Sequence, residues 1–118
     1  MKNFLFVMRR PPHDGIGVRE SLDMLMTVAA FDQPVRLLFL DDGVFLLKSG
    51  QNPEGSGIKP VAPLFAALEV YGIEELWVEE ESLAQRGLVP ENLILSTRSI
   101  KRVEVAALVA SADVVLAC

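Results

Sequence analysis

Apolar runs of strand length alternate along the chain with stretches in which apolar residues recur at helical spacing. Phe4-Leu5-Phe6-Val7-Met8 is apolar throughout, and Val35 to Leu40 repeats this with Arg36 as its only interruption. Shorter runs are Leu76-Trp77-Val78, Leu93-Ile94-Leu95 and Val114-Val115-Leu116. Strands apolar on both faces belong in a parallel sheet that is covered on both sides. These runs are therefore expected to form a five-stranded, mainly parallel sheet.

The helical stretches lie between the runs. From Val18 to Phe31, apolar residues fall at 18, 22, 25, 26 and 29, which makes one stripe, with Arg19, Glu20 and Asp23 opposite. Val44 to Lys48 reads as a short helical turn stopped by Ser49-Gly50. Gln51 to Gly57 is polar, with interspersed Gly and Pro, and reads as a loop. Pro60 to Tyr71 is expected to be a second long helix with Gly72 beyond its C-cap. Ser82 to Arg86 gives a short helix ended by Gly87, and Ile100 to Ala110 gives the last helix. The order β-α-β-α-α-β-α-β-α-β implies a single α/β domain over residues 1–118, a doubly wound sheet with flavodoxin-like or Rossmann-like layering.

Composition narrows the function classes. Of 118 residues, 51% are hydrophobic and 23% charged, as in a globular domain. Eleven Lys and Arg against sixteen Asp and Glu give a formal charge of -5, and the pI is ≈ 4.8. An acidic chain without a basic stripe argues against direct nucleic-acid binding. No apolar run approaches the ~18 residues of a membrane span. The opening Met1-Lys2-Asn3-Phe4 leads into a short apolar run that ends in Arg9-Arg10-Pro11-Pro12 without a small-residue cleavage site. It is expected to be a strand and not a secretory signal. The lone cysteine, Cys118, permits no internal disulfide, no zinc site built on several thiolates and no CxxC pair. The expected compartment is the cytoplasm.

In such a sheet, ligands and reactive groups collect at the carboxyl ends of the strands. There the sequence is expected to place Arg9, Arg10 and His13, then Asp41-Asp42-Gly43, Glu79-Glu80-Glu81, Ser96-Thr97-Arg98, and last Cys118. Gly15-Ile16-Gly17-Val18-Arg19-Glu20 is G-x-G-x-x-E, two glycines of a three-glycine nucleotide fingerprint. A glutamate in the third position would put negative charge beside a pyrophosphate, so the segment reads as a loop entering a helix. Asp41 and Asp42 would suit Mg²⁺ through carboxylate oxygens. An aspartyl-phosphate site also wants a lysine after the last strand, and none follows; aspartate equally suits a helix start. His13 is the only histidine and reads as a loop residue. The glutamate run offers a general base or a solvated face. Cys118 offers a persulfide site, but its terminal carboxylate would disfavour the thiolate. No cofactor or metal is expected.

One segment bears on partners. In Pro60 to Tyr71 only Glu69 is charged, and a helix apolar nearly all round must be covered on more than one side. Leu64, Phe65, Leu68 and Tyr71 are therefore expected to contact another subunit.

Several segments together carry a family resemblance. They are Ala30-Phe31-Asp32-Gln33, Leu38-Phe39-Leu40-Asp41-Asp42-Gly43-Val44-Phe45, Gly72-Ile73, Trp77-Val78, and Ser82-Leu83 with Arg86-Gly87-Leu88. With Pro12-His13-Asp14-Gly15 and Glu20-Ser21-Leu22-Asp23 near the start, the chain resembles the DsrE/DsrF-like family, and within it the DsrF/TusC branch. The resemblance covers nearly the whole chain and is poorest in the last helix.

The resemblance implies a heterohexameric sulfur-relay complex. This chain would sit with DsrE/TusD-type and DsrH/TusB-type subunits, and the complex would hand persulfide sulfur to a DsrC/TusE-type acceptor. The pathway would be sulfur oxidation or 2-thiolation of the tRNA wobble uridine. In the sulfur-bearing subunits a cysteine follows strand three; the matching position here is Glu79, which accepts no sulfane sulfur. The implied role is a non-catalytic, assembly-forming subunit, with Glu79 and Glu80 as contact candidates at a docking rim. The isolated chain would form a homo-oligomer if it associates at all. The residues alone leave open a different class, a small-molecule, nucleotide or Mg²⁺-binding domain using Asp41 and Asp42, and also a persulfide carrier using Cys118.

Overall fold

The computed structural model describes residues 2–11, 15–48, 65 and 67–117. Five strands, β1 (Phe4–Met8), β2 (Val35–Phe39), β3 (Glu75–Glu79), β4 (Arg98–Ile100) and β5 (Val114–Ala117), form one sheet in the order β4-β3-β2-β1-β5. Every pairing is parallel. The described α-helices are α1 (Gly15–Ala30), α2 (Glu80–Gln85) and α3 (Arg102–Ala110). Short 3₁₀ helices fill Asp41–Leu47, Ala67–Tyr71 and Pro90–Asn92.

Crossover handedness explains how the layers divide. The steps from β1 to β2, β2 to β3 and β3 to β4 all move the same way, so right-handed connections put them on one face. That face carries the main core: Phe6, Met8, Leu37, Phe39, Leu76 and Val78 point from the strands into Val18, Leu22 and Leu25 of α1, with Leu47, Phe65, Leu68 and Leu83 beside them. Only the step from β4 back to β5 reverses, and it lays α3 on the other face. There Leu5, Val7, Leu38 and Ile100 pack under Val105, Leu108 and Val109. The sheet is thus wound on both sides, but unequally, with one nine-residue helix serving the second face.

The rest of that second face is solved with polar side chains. Arg98 lies 5.6 Å from the Trp77 ring centroid. The Trp77 indole N–H donates to Glu75 over 2.9 Å, and Glu75 sits between Arg36 at 3.7 Å and Arg98 at 3.8 Å. An arginine on an indole face covers the ring and keeps its charge in water.

Three expectations change. Strand four is Arg98–Ile100 and not Leu93-Ile94-Leu95. The apolar run instead follows a 3₁₀ turn and leans on the core from outside. The Ile94 N–H donates to the Leu47 carbonyl over 2.8 Å, and Leu93 forms an isolated bridge with Lys48. An edge strand needs few apolar residues, and Ile100 alone is buried in β4, so the apolar-run criterion missed it. Ser96 and Thr97 consequently precede strand four instead of following it. The helix expected over Pro60 to Tyr71 is described only at its end, as a 3₁₀ turn over Ala67–Tyr71. Gly72 closes it with φ +78°, a conformation that costs glycine little. The last helix starts at Arg102, two residues later than expected.

Candidate functional site

The carboxyl ends of β1 to β4 are tied by one chain of polar contacts. Glu79 ends β3 and stands at the N-cap of α2. It is 4% exposed. The Ser82 hydroxyl, three residues on, donates to Glu79 Oε1 over 2.6 Å. Arg102, just after β4, donates to the same oxygen through Nε at 3.2 Å and Nη2 at 2.9 Å. A buried carboxylate is tolerated when charge and hydrogen bonds are both met, and here they are. The Glu79 hydrogen bond, and then its charge, raise the Arg102 guanidinium further above its already high ordinary pKa; Glu81 and Asp41 add to this against a desolvation cost. Arg102 therefore stays cationic.

The network continues to the other strands. The Ser82 oxygen accepts the Asp41 N–H over 2.8 Å. Asp41 follows β2 with φ +51°, the left-handed region that aspartate tolerates better than most residues. Arg9, after β1, donates to Asp41 Oδ2 through Nε at 3.0 Å and Nη2 at 2.7 Å. Arg86 of the α2 C-cap donates to Asp42 over 3.1 Å. Gly43 completes the turn, because a Cβ there would lie 1.9 Å from the Met8 carbonyl oxygen. Asp-Asp-Gly is thus a close-packed corner that presses the end of β2 onto the end of β1.

This arrangement limits the chemistry. Asp41 and Asp42 each have their own arginine, so they do not converge on a cation. Among the described residues no group of three His, Cys, Asp or Glu is gathered as metal ligands. Glu79 is buried and its Oε1 accepts three hydrogen bonds, one from Ser82 and two from Arg102, so that oxygen is not an open base. The glutamate run splits in three directions. Glu79 points inward, both Glu81 oxygens accept the Arg102 N–H at the start of α3 over 2.9 and 3.0 Å, and Glu80 alone is exposed.

The topological switch lies elsewhere, between β1 and β5, where the strand order reverses. A cleft of about 240 Å³ opens there, floored by Met8, Val18, Leu46 and Leu116 and edged by Arg10, Glu20 and Ser21. Gly17 and Glu20 of the G-x-G-x-x-E segment both line it, so the glutamate stands where a phosphate would need positive charge.

The remaining candidates scatter. Phe65 and Leu68 are 0% and 1% exposed in this chain's own core, so they are not available to a partner as expected. Tyr71 is 50% exposed and stays accessible. Leu64, His13 and Cys118 lie outside the described residues. Sequence reasoning missed Ser82 and Arg102 as site residues. The Glu-x-x-Ser spacing at the start of α2 was a signal for Ser82, whereas Arg102 was hidden by the misplacement of strand four.

Comparison with known proteins agrees with this architecture. The model of the DsrE/DsrF-like family matches residues 2–118. The chain belongs to that family. Its relatives include the intracellular sulfur oxidation protein DsrF of Allochromatium vinosum, 38% identical over 94 residues, which are 80% of this chain and 69% of that one. The TusC homolog of Pseudomonas aeruginosa is 40% identical over 95 residues, 80% of each chain. The TusC protein of Shigella flexneri is 38% identical over 91 residues, 77% of this chain and 76% of that one. The crystal structure of the ychN protein from E. coli superposes with a TM-score of 0.82 over the whole of both chains at 22% identity, a likeness of fold.

Proposed function

We propose that this chain is a non-catalytic, DsrF/TusC-type subunit of a cytoplasmic sulfur-relay complex. It would assemble with DsrE/TusD-type and DsrH/TusB-type subunits into a heterohexamer that passes persulfide sulfur to a DsrC/TusE-type acceptor, in sulfur oxidation or tRNA wobble-uridine thiolation. The relatives named DsrF and TusC support the relay. One observation carries the non-catalytic role: Glu79, at the strand-three position that the resemblance assigns to a sulfur-bearing cysteine in the E- and D-type subunits, is buried, with Oε1 held by Ser82 and Arg102. A carboxylate at this position offers no thiolate to accept sulfur.

The alternative, an Mg²⁺ or nucleotide domain using Asp41 and Asp42, loses support because both carboxylates are paired with arginines. The test is intact-mass measurement after incubation with a persulfide donor, alone and with an E/D-type subunit. The expected result is no added sulfur on this chain, stable co-elution with that subunit, and sulfur on the latter. A gain of one sulfur that disappears with Cys118→Ser would replace this reading with the persulfide-carrier one.

A further inference from the structure

Helix α3 is held to the sheet in a different way from α1. Helix α1 buries Val18, Leu22 and Leu25 in the main core, each at 3% exposure or less. In α3 only Leu108 is buried, Val105 and Val109 are partly covered, and Val103 is 85% exposed. Strand β4, one residue before α3, pairs with β3 over three residues and buries only Ile100. The apolar hold on β4 and α3 is therefore thin, since burial stabilises in proportion to the area removed from water. Polar contacts secure the two ends of α3. At its end, the Asn3 side chain donates to the Ser111 carbonyl over 2.8 Å. The Asn3 carbonyl accepts the Asp113 N–H over 2.9 Å, and the Asp113 carboxylate accepts the Asn3 N–H over 2.8 Å. At its start, the N-termini of α2 and α3 are clasped reciprocally. Glu81 of α2 accepts the Arg102 N–H on both oxygens, while the Arg102 side chain reaches back to Glu79 at the α2 N-cap and to Gln85 over 3.4 Å.

We infer that β4 and α3 form a strap, latched by the clasp of Arg102 with Glu79 and Glu81, that opens from the sheet as a unit while the rest of the fold stays closed. Segments with few buried apolar contacts open at lower free energy than the core. The two ends of α3 act as pivot and latch. The Asn3 contacts lie beside the Phe4↔Val114 pairing, and the chain runs on from Asp113 into β5, so this end stays on the sheet. The clasp rests on side chains. Arg102 is 48% exposed there, so water competes for its guanidinium, and none of the first residues of α3 is buried. Residues 95–97, in neither helix nor strand, lead into β4 and give the second hinge. Opening uncovers Leu5, Val7 and Leu38 beneath α3. It also takes from Glu79 the guanidinium that neutralises it, and leaves that carboxylate facing solvent at the bared edge of β3. The inference concerns this chain alone and does not rest on the relay reading.

Hydrogen–deuterium exchange of the full chain, followed residue by residue by NMR, tests it. The amides of Ala106 to Ser111 should exchange faster than those of Leu22 and Leu25 in α1. Arg102→Ala should speed the α3 amides by about tenfold or more, as the loss of charge-assisted hydrogen bonds implies, and should change Leu22 and Leu25 by less than about twofold. Glu81→Ala leaves the pair of Glu79 and Arg102 in place and should act on the same amides to a smaller degree. Equal protection of the two helices in the wild-type chain overturns the inference. So does either variant, folded, that leaves α3 exchange unchanged or speeds both helices alike.

Discussion

The carboxyl rim of this sheet has a closed side and an open side. From β4 to β1 the strand ends are stitched by Arg102, Glu79, Ser82, Asp41 and Arg9, side chain to side chain except where the Ser82 oxygen accepts the Asp41 backbone N–H. Between β1 and β5, where the strand order reverses and a ligand crevice is expected, there is an apolar cleft with charges only at its lip. On the reading proposed above, the closed side includes the strand-three position that the family resemblance assigns to a sulfur-bearing cysteine; here that position holds Glu79 in an ion pair with Arg102. The open side has lost the reason for a phosphate loop, since Glu20 occupies its mouth. Among the described residues the two halves of the rim differ in kind: one is filled by paired polar groups, the other is lined mostly by apolar side chains.

The largest effect should come from the tightest point of the closed side. In Gly43→Ala the new methyl meets the Met8 carbonyl at 1.9 Å, and backbone, unlike a flexible side chain, yields only by moving strands. A loss of order 3–5 kcal/mol is expected in urea unfolding. Gly87→Ala serves as the control. It has nothing within 4 Å and suffers only its φ of +67°, a cost of about 1–2 kcal/mol. Equal losses would mean that the corner is looser than its geometry indicates.

Next comes the carboxylate itself. Glu79→Ala strands the buried Ser82 hydroxyl, which then loses its acceptor, and should cost about 2–3 kcal/mol by thermal or chemical unfolding. Glu79→Gln keeps an oxygen for Ser82 and Arg102 but removes the charge, and should cost clearly less. If Gln is as damaging as Ala, charge and not hydrogen bonding holds the closed side together. If Ala is harmless, Glu79 is not a structural stand-in, and its burial needs another explanation.

These contacts also show how far the sequence could be read. The apolar runs at Phe4 to Met8 and Val35 to Phe39 announced buried strands because both of their faces are covered, and the stripe from Val18 to Ala29 announced α1 because one face of that helix is buried on the sheet. At the edge the rule failed. Strand β4 buries only Ile100, so its pattern is indistinguishable from a loop, whereas Leu93 to Leu95 looked like a strand because it packs on the core by another route. That single error moved Arg102 from just after a strand end, where it matters, into the first turn of a helix expected to begin at Ile100. Asp41 and Asp42 were legible as strand-end residues. Their arginine partners were not, because Arg9 and Arg86 lie 32 and 44 residues away and no local spacing encodes a tertiary pair. Phe65 and Leu68 looked surplus for the same reason: a helix apolar nearly all round can be covered within its own chain as well as by another.

The smallest effect belongs to the outermost stitch. Arg9 and Asp41 make a close pair, but their side chains are 61% and 39% exposed. Water screens such a pair and the arginine gives up rotamer freedom to form it, so Arg9→Ala should cost less than about 1 kcal/mol, and less still in high salt. The Asp41 backbone would stay in place, because its N–H is held by Ser82 and not by Arg9. A larger loss, insensitive to salt, would show that Arg9 positions the left-handed Asp41 turn. The closed side would then extend as a single unit to the lip of the cleft instead of ending at β2.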